Sequence, residues 1–476
     1  MKLIYGVDAK PPFGKTLLFA FQQMISIMAA TLLVPMLMTG MTKGELPFSP
    51  AAALLGAGMG TIVYLLFTKR RSPVFLGSSF TFLGAYGAVL ANGYGYWGVI
   101  LGIAFAGLVY VVLAVLIKFL GSNWVNKLMP AVIVGPIVTL IGLSLSGTAT
   151  GWMSTNGGET YNLIGILCGL ATFITIVIVS TKGKKMLKLI PFIVGIGAGY
   201  VLALLFTVIG IVAEVEYLQV LSFEPFKEIF SPENFGFTSF LQLPSFTLVN
   251  AIKGGWNLDA SAIGNIALTF IPIAIVELAQ HIADHKNLSS IVEKDLITDP
   301  GLHNTLLGDG IGSIVGGLFG GAANTTYGES IGCVALSKNA STISILFAAF
   351  GCIIIAFFSP FVAFINSIPK CVMGGACVAM YGFIAVSGLQ MLKQVDLSKN
   401  NNLFVVASIL VVGIGGLTID IGTNKITGGP LFQLTSLATA LVVGLIVNAI
   451  ANSGKSEELE GDEEVVGAAR TEETAE

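Results

Sequence analysis

Two polar stretches interrupt apolar parts of the sequence, and their residue types could bind a flat, hydrogen-bonding ring. Residues 77–82 read GSSFTF and residues 324–330 read NTTYGES. Small residues permit a locally extended backbone, and N–H groups freed at such a break find no partner in lipid. A heterocycle with carbonyl oxygens would accept from those N–H groups while an aromatic side chain stacks on it. The alternative is that both stretches are close helix contacts whose hydroxyls bond back to their own helices.

Polar residues also recur with helical spacing between residues 277 and 285 (ELAQHIADH). Positions i, i+3, i+4, i+7 and i+8 lie on one face of a helix. Ionisable groups inside a membrane span are costly, and for that reason they are candidates for a functional site. Gln280 and Glu329 are expected to face the site. Glu277 is expected there or as a packing partner inside the protein, and His285 at the cytoplasmic interface.

No arrangement of residues favours an enzyme. His281 and Asp284 are only three residues apart and have no nucleophile beside them. The sequence has neither the phosphate-cradling motif GxxxxGK[ST] nor the paired His/Cys spacing of a metal site. The five cysteines all fall inside apolar runs, as small core residues do. We therefore predict a protein that is not an enzyme and that holds no cofactor and no metal.

The composition places these residues in a membrane. Of the 476 residues, 54% are hydrophobic and 11% are charged, against about 25% charged in an average soluble domain. The apolar residues come in runs of about 20, which is the length that crosses a hydrocarbon core of about 30 Å. The net charge of −3 argues against a nucleic-acid partner, so the lipid bilayer is the expected partner. The first apolar run is long enough to span, and no cleavable signal peptide is expected.

We predict an all-α membrane protein of about fourteen spans. The spans are expected near residues 16–38, 49–67, 73–91, 96–118, 129–146, 162–181, 188–212, 263–283, 304–321, 324–337, 341–363, 368–390, 402–419 and 428–450. The third and the tenth contain the two polar breaks and are short and Gly-rich. Twelve spans is therefore the alternative.

The distribution of Lys and Arg tests the span count. With a cytoplasmic N-terminus, fourteen spans leave only five of the 24 basic residues outside, namely Lys43, Lys227, Lys253, Lys370 and Lys425. An excess of positive charge on the inside is typical of membrane proteins. Omitting one of the two weak spans would invert the later loops and remove this asymmetry. We therefore predict fourteen spans, with both termini in the cytoplasm.

The two halves of the sequence repeat the same features in the same order. The matching features are Pro130 and Gly135 with Pro369 and Gly374, residues 78–80 with 325–327, and Gln22 with Gln280. Their similar offsets of 239, 247 and 258 residues favour a duplicated seven-span unit, and because seven is odd the second copy must be inverted. The expected regions are a first repeat at 1–212, an extracellular loop at 213–262, a second repeat at 263–450 and a disordered acidic cytoplasmic tail at 451–476.

The segment around the second break resembles the signature of the nucleobase–ascorbate transporter family, the nucleobase:cation symporters. Residues 324–332 read NTTYGESIG, and Ser337-Lys338 follow at the spacing of the family pattern. Further matches are LGSSF at 76–80, Gln22, KDL at 294–296, DPGLH at 299–303, IP at 368–369 and VMGG at 372–375. The resemblance covers nearly the whole chain and is greatest to the bacterial uracil permeases.

The resemblance implies a core domain and a gate domain, a site between the third, eighth and tenth spans, and short strands at the two breaks. It implies that Glu329 binds the base through its carboxylate, while Phe80 and Gly328 offer backbone N–H groups. The full set of expected substrate-binding residues is Glu329, Gln280, Phe80, Gly328, Tyr327, Ser79 and Tyr381. The family resemblance also implies a homodimer.

Three positions depart from the family pattern. Gln280 stands where the family usually has a base-binding Glu, Asp284 where the uracil branch has a His, and Gln23 where a His often follows the first-span Gln. A glutamine side chain still donates and accepts hydrogen bonds, but it cannot carry a proton. The proton-coupling candidates are therefore Glu329, Asp284 and Glu277.

The predicted function is secondary active transport, in which a nucleobase, first of all uracil, is imported across the cell membrane by proton symport. The nearest alternative is a purine carrier for xanthine or urate, to which a Gln in the eighth span would belong. Sodium coupling is a further alternative, with Asp284 and Asp309 as oxygen ligands. An ion channel would need a continuous polar lining, which the paired breaks do not favour.

Overall fold

The computed structural model describes residues 3–121, 124, 130–184, 187–188, 190–231, 235–393, 395–423 and 430–453. Most of these residues are helical. The helices are α1 (Phe13–Met41), α2 (Pro50–Phe67), α3 (Leu83–Ala91), α4 (Gly95–Leu120), α5 (Ala131–Ser144), α6 (Ser146–Thr155), α7 (Leu163–Lys182), α8 (Pro191–Val212), α9 (Glu224–Phe230), α10 (Thr247–Gly254), α11 (Ala260–Val292), α12 (Leu302–Gly320), α13 (Gly328–Ser337), α14 (Thr342–Ala356), α15 (Ser359–Ser367), α16 (Lys370–Leu392), α17 (Asn400–Ile414) and α18 (Ser436–Asn452). The strands are β1 (Leu76–Ser78), β2 (Asn324–Thr326), β3 (Ile419–Thr423) and β4 (Pro430–Leu434).

Several of these helices are suited to a bilayer. Among the described residues, eight helices are long and apolar enough to cross a membrane, with α5 and α6 taken together as one. The helices α14, α17 and α18 are apolar but shorter. The protein is thus a multi-pass membrane protein. Of the predicted acidic tail, residues 454–476 lie outside the described residues, and α18 runs to Asn452.

The two polar breaks form a small antiparallel sheet, which confirms the short strands expected there. Leu76 pairs with Thr326, Gly77 with Thr325 and Ser78 with Asn324. A short helix follows each strand, α3 after β1 and α13 after β2. The sheet brings the two halves of the chain into direct contact through backbone hydrogen bonds.

The region around residues 415–434 differs from the prediction. The thirteenth span was expected to continue to residue 419 and the fourteenth to begin at 428, but α17 ends at Ile414 and a β3–β4 hairpin follows. Gly416 has a φ of +71°, which a glycine adopts without strain and which ends the helix. The β-branched residues Thr418, Ile419 and Ile421 that follow favour a strand over a helix. The all-α prediction is therefore wrong in this region.

The helices pack as two groups. In the first group, α12 packs against α2 and α4, α14 against α1 and α2, and α11 against α4. In the second group, α16 packs against α5, α6 and α7, α7 against α8, and α17 against α18 and α5. The helix α11 also contacts α5, α18 and β4 of the second group. It therefore lies where the two groups meet.

Glycines let α2 approach α12 closely and thereby fix the position of β2. A Cβ atom added at Gly56 would lie 2.6 Å from the carbonyl oxygen of Gly316, and one at Gly60 would lie 2.5 Å from Nδ2 of Asn324. Small residues at such contacts are typical of helices packed in lipid. Asn324 Nδ2 donates to the Gly56 carbonyl at 2.8 Å, and Ser313 Oγ donates to the Asn324 carbonyl.

Several basic residues join chain segments at one end of the molecule, here named the basic end. Arg71 binds Asp299 at 2.5 Å, Lys294 lies 3.2 Å from Asp8, and the backbone carbonyl of Lys338 accepts from Ile4 N at 2.8 Å. The Asp299 carboxylate raises the pKa of the Arg71 guanidinium, which lies outside the spans.

The described residues among 213–262 lie at the opposite end and are tied by hydrogen bonds to other loops there. Asn156 Nδ2 donates to Val220 O at 2.9 Å, and Gln242 N donates to Phe357 O at 2.9 Å.

Candidate functional site

A cavity of about 560 Å³ opens between α11 and α13 on one side and α16 of the second group on the other. The α11 residues Gln280, Asp284 and Asn287 face it at positions i, i+4 and i+7, one face of the helix. Its full lining is Val138, Phe192, Gln280, Ala283, Asp284, Asn287, Gly328, Glu329, Met380, Phe383, Ile384, Ser387, Gln390 and Met391. Because the lining follows the last turns of α11 and α16, the cavity lies on the side of the basic end.

The first turn of α13 presents Gly328 and Glu329 to this cavity. Tyr327, just before the helix, has an extended backbone, so α13 begins abruptly at Gly328. The first N–H groups of a helix have no acceptor within it. Gly328 is exposed, and a Cβ added there would have no atom within 4 Å. A planar ligand can therefore approach this backbone closely.

The helix α1 and the segment before β1 hold the start of α13 in place. Gln23 Nε2 donates to the Ser330 hydroxyl and, at 3.3 Å, to its carbonyl. Ser330 Oγ also accepts from Phe75 N at 2.9 Å, and Ser26 Oγ donates to the Glu329 carbonyl at 3.3 Å. These contacts fix the backbone of Glu329 and leave its carboxyl at the cavity.

The other two proton-coupling candidates occupy different surroundings. Asp284 lines the cavity and accepts a hydrogen bond from Thr326 Oγ1 at 2.9 Å, which ties it to β2. Glu277 does not line the cavity and is only 1% exposed. Its carboxyl faces the hydroxyls of Ser79, Thr81 and Thr325, so it meets both breaks from within the protein.

The aromatic candidates lie deeper than Glu329. Phe80 lines a second cavity of about 320 Å³ on the side away from the basic end, and its ring centroid lies 5.9 Å from that of Tyr381, edge to face. Tyr381 is buried between the groups. Tyr327 donates through its hydroxyl to Ser78 O at 2.6 Å, and its ring fills the space beside Gly77. Tyr327 thus joins the two strands, and its side chain does not line the cavity.

A buried polar cluster behind the cavity face of α11 was missed. His281 bonds Asp309 and Thr305, while His285 bonds Tyr64. The expectation that His285 lies at an interface is wrong, because its side chain is only 1% exposed. The i, i+4 spacing of the two histidines could have indicated a second face. Their partners are 24 or more residues away in the sequence and could not have been identified from it.

The cavity also contains polar residues that the sequence did not single out. Asn287, Ser387 and Gln390 line its part nearest the basic end. Asn287 lies three residues after Asp284, so the helical spacing that selected Gln280 and Asp284 could have extended to it.

Residues 14–422 match the Permease family. The uracil permease of Bacillus caldolyticus is 36% identical over 94% of this chain and 95% of its own. The uracil permease of Bacillus subtilis is 35% identical over 97% of this chain and 98% of its own, and that of Escherichia coli K12 is 30% identical over 93% and 94%. These matches confirm the family expected from the motif around residues 324–338.

Solved structures share the fold at low sequence identity. The transmembrane domain of a cyanobacterium bicarbonate transporter, BicA, superposes with a TM-score of 0.56 at 14% identity, covering 94% of this chain and all of that domain. The murine Solute Carrier 26 family member A9 anion transporter, in an inward-facing state, gives 0.58 at 12% identity, covering 93% of this chain and 69% of that protein. At such identities the likeness concerns the fold alone.

Proposed function

This chain belongs to the Permease family, and we propose that it transports a nucleobase into the cell across the cell membrane, with uracil as the proposed substrate. Permeases are transporters and not enzymes. The proposal is supported by relatives that are named uracil permeases and are 30–36% identical over almost the whole chain.

The observation that carries the proposal is the pairing of Glu329 and Gln280 on one cavity. Uracil alternates ring N–H donors with carbonyl acceptors. The Glu329 carboxylate would accept from a ring N–H, and the Gln280 amide can both donate to a carbonyl and accept from an N–H. The N–H groups at the start of α13, which have no backbone acceptor within the helix, would donate to a second carbonyl. Phe383 and Phe192, also in the lining, would contact the ring with their aromatic side chains.

The deeper candidates would complete the site when the two helix groups move relative to each other. Phe80 would donate its backbone N–H, with Ser79 beside it, and Tyr381 and Tyr327 would close the deep side of the site. This assignment is supported by their positions, because the ring of Phe80, which lines the 320 Å³ cavity, contacts the ring of Tyr381. Transport would then alternate between the two cavities on opposite sides of this contact.

We further propose fourteen spans in two inverted repeats, at residues 1–212 and 263–450. The antiparallel pairing of β1 with β2 supports a two-fold relation between the halves. Pro130 and Pro369, matched in the sequence, each immediately precede a helix, α5 and α16. The first helix group would be the core domain and the second the gate domain. Residues 213–262 would be extracellular, the basic end and both termini cytoplasmic, and the protein a homodimer.

Import would be coupled to a proton, with Glu329, Asp284 and Glu277 as carboxyl candidates. A proton moving inward gains about 2.3 kcal/mol per 100 mV of membrane potential, which suffices to concentrate a neutral base severalfold. Sodium is the alternative coupling ion, with Asp284 and Asp309 as its oxygen ligands.

Uptake of labelled uracil into proteoliposomes tests the proposal. We expect saturable uptake that is accelerated by an acidic medium outside and is not accelerated by sodium. Saturable uptake that does not depend on the proton gradient would disprove proton symport. Absence of uracil uptake would disprove uracil as the substrate.

A purine carrier is the second candidate, because Gln280 replaces the usual base-binding Glu. Competition by unlabelled xanthine and urate distinguishes the two. Stronger competition by a purine than by unlabelled uracil would establish the purine carrier.

A further inference from the structure

We propose that the proton which drives uptake is carried by the buried pair His281 and Asp309, behind the cavity, rather than by a carboxyl that touches the substrate. The proposal rests on the proposed function and names the group that its coupling requires. It also explains how a chain with Gln280 in the cavity keeps a proton site that is separate from its substrate-binding side chains.

The pair joins two helices of the first group in the interior of the protein. His281 lies on α11 and Asp309 on α12, with Nδ1 of the ring 2.6 Å from Oδ2 of the carboxyl. The side chains are 1% and 0% exposed. The second ring nitrogen, Nε2, lies 3.0 Å from Thr305 Oγ1. Both nitrogens of the ring are thus engaged.

The proton count of the pair follows from the direction of the Thr305 hydroxyl. With its hydrogen donated to the Leu302 carbonyl at 3.0 Å, Thr305 meets the ring with a lone pair, and Nε2 then carries a hydrogen. A contact of 2.6 Å between Nδ1 and Oδ2 requires one further proton between them, on either atom. The pair therefore holds one proton more than a neutral imidazole beside a carboxylate, and it is neutral as a whole.

The surroundings make the loss of that proton costly while the site is closed. The ionisable groups that face the pair are Glu277, Asp284 and His285 on α11, Tyr64 on α2 and Tyr110 on α4; Glu329 on α13 faces Asp284 in turn. Among the described residues, this set contains no lysine or arginine. A deprotonated pair would therefore place an uncompensated negative charge among other carboxyls in a dry interior.

The second oxygen of Asp309 strengthens this point. Oδ1 is buried and has no hydrogen-bond partner among the described residues. A buried carboxylate with one oxygen unbonded is much less stable than a carboxylic acid or an ion pair in the same place. The ring of His285 lies beside that of His281, with centroids 4.1 Å apart and planes inclined by 30°, so at most one of the two rings is charged at a time.

The position of the pair on α11 links it to the substrate cavity. Gln280 is the neighbour of His281 in the chain, and Asp284, one turn further, lines the same cavity. Loss of the proton would leave a neutral His281 and an ionised Asp309. The proton would pass to water in the cavity on the side of the basic end, by way of Asp284. This can happen only when the cavity is open to water on that side, which ties proton release to the inward-facing state.

The test compares two transport modes of the variant Asp309→Asn in proteoliposomes. Uracil exchange, with uracil on both sides and no ion gradient, requires no net proton movement. Accumulation under a pH gradient does, and about one pH unit drives about tenfold accumulation at one-to-one coupling. We expect Asp309→Asn to exchange uracil at a rate comparable to the unmodified protein and to accumulate none above equilibrium. His281→Gln should behave in the same way.

Two controls separate the outcomes. Asp8→Asn makes the same chemical change at an exposed carboxyl of the basic end and should leave both modes intact. A uracil-dependent rise in the unfolding temperature reports that each variant is folded and binds. Gradient-driven accumulation by Asp309→Asn at the unmodified level would overturn the proposal. So would loss of exchange in variants that still bind uracil, because the pair would then be needed for the conformational change itself. Failure of the unmodified protein to transport uracil or to respond to the gradient would instead refute the proposed function.

Discussion

The helix α11 presents two polar faces that differ in how their side chains are satisfied. On the cavity face, the side chains of Gln280 and Asn287 line an open cavity, where a substrate can take the place of water as their hydrogen-bond partner. On the buried face, His281 and His285 have permanent partners on neighbouring helices. A side chain without a fixed partner is available to a substrate, whereas one with fixed partners can store a charge or stabilise the fold. Variants of the cavity face should therefore change binding, and variants of the buried face should change coupling or stability.

The largest effect is expected from Glu329→Gln. The substitution replaces the carboxylate that would accept a hydrogen bond from a ring N–H with a neutral amide. Because hydrogen bonds to charged groups contribute about 1.5–3 kcal/mol, uracil affinity should fall roughly 10- to 100-fold or more. The dissociation constant of the purified protein, measured by calorimetry, gives the answer. Glu45→Gln, an exposed carboxyl in the loop after α1, is the matched control. Unchanged affinity in Glu329→Gln would remove this residue from the site.

On the buried face, Tyr64→Phe should lower stability and leave uracil affinity unchanged. The variant removes the hydroxyl that lies 2.7 Å from His285 Nε2 and 2.7 Å from Ser72 Oγ. His285 Nε2 would then keep only its longer contact with Ser72 Oγ, at 3.4 Å, and a poorly satisfied buried nitrogen costs up to about 1–3 kcal/mol. The unfolding temperature in detergent measures the loss, and uracil affinity is measured beside it. A drop in affinity with an unchanged unfolding temperature would show that the two faces are not separate in function.

A smaller effect on the cavity side is expected from Gly328→Ala. A methyl group there meets no protein atom, so the fold should be unaffected or slightly stabilised by the better helix former. If the base approaches the N–H groups at the start of α13, the methyl group blocks it, and loss of one such hydrogen bond lowers affinity by about fivefold to tenfold.

Gly332→Ala is the matched control for that variant. It lies one turn further along α13, is likewise free of contacts within 4 Å and does not line the cavity. Equal uracil affinities for the two variants would place the substrate away from this helix start.

The smallest effect is expected at the basic end, from Arg71→Ala. The Arg71–Asp299 ion pair is exposed, and such pairs contribute little because water and salt screen them. Asp299 raises the pKa of Arg71 further above the physiological range, so the guanidinium stays charged. The contribution of the ion pair to stability therefore does not change between pH 6 and 9. The unfolding temperature of the variant should match that of the unmodified protein at each pH. A clear, salt-sensitive decrease would show that this contact stabilises the basic end.

Much of the fold could be predicted because it follows from local sequence. The apolar runs predicted helices near their observed positions, and the polar breaks at 77–82 and 324–330 predicted short strands that the structure contains. The β3–β4 hairpin was missed because an apolar run of strand residues next to a helix has the same hydropathy as a continued span.

The candidate site was predicted in part. Gln280, Asp284, Gly328 and Glu329 line one cavity. Residue types and spacing pointed to Gln280, Asp284 and Glu329, and the family resemblance pointed to Gly328. Tyr327, expected to line the pocket, is turned toward Ser78. Phe80 was expected to offer its backbone N–H, and its ring lines the second cavity. In a break of the helix the side-chain direction depends on the local backbone, which residue types alone do not specify.

The sequence alone determined which segments are apolar enough for a membrane, and it placed Gln280 and Asp284 one turn apart on α11, because both depend on neighbours within a few turns. It did not separate His281 and His285, expected on the same face, from the side chains that line the cavity. Tertiary structure decided which face of α11 meets the cavity and which meets α2 and α12. It also brought Asp309 to His281 and Tyr64 to His285, contacts that span 28 and 221 residues of chain. The physical reason is that the rotation of a helix about its axis is set by packing against distant helices, for which glycines such as Gly56 and Gly316 provide the close approach.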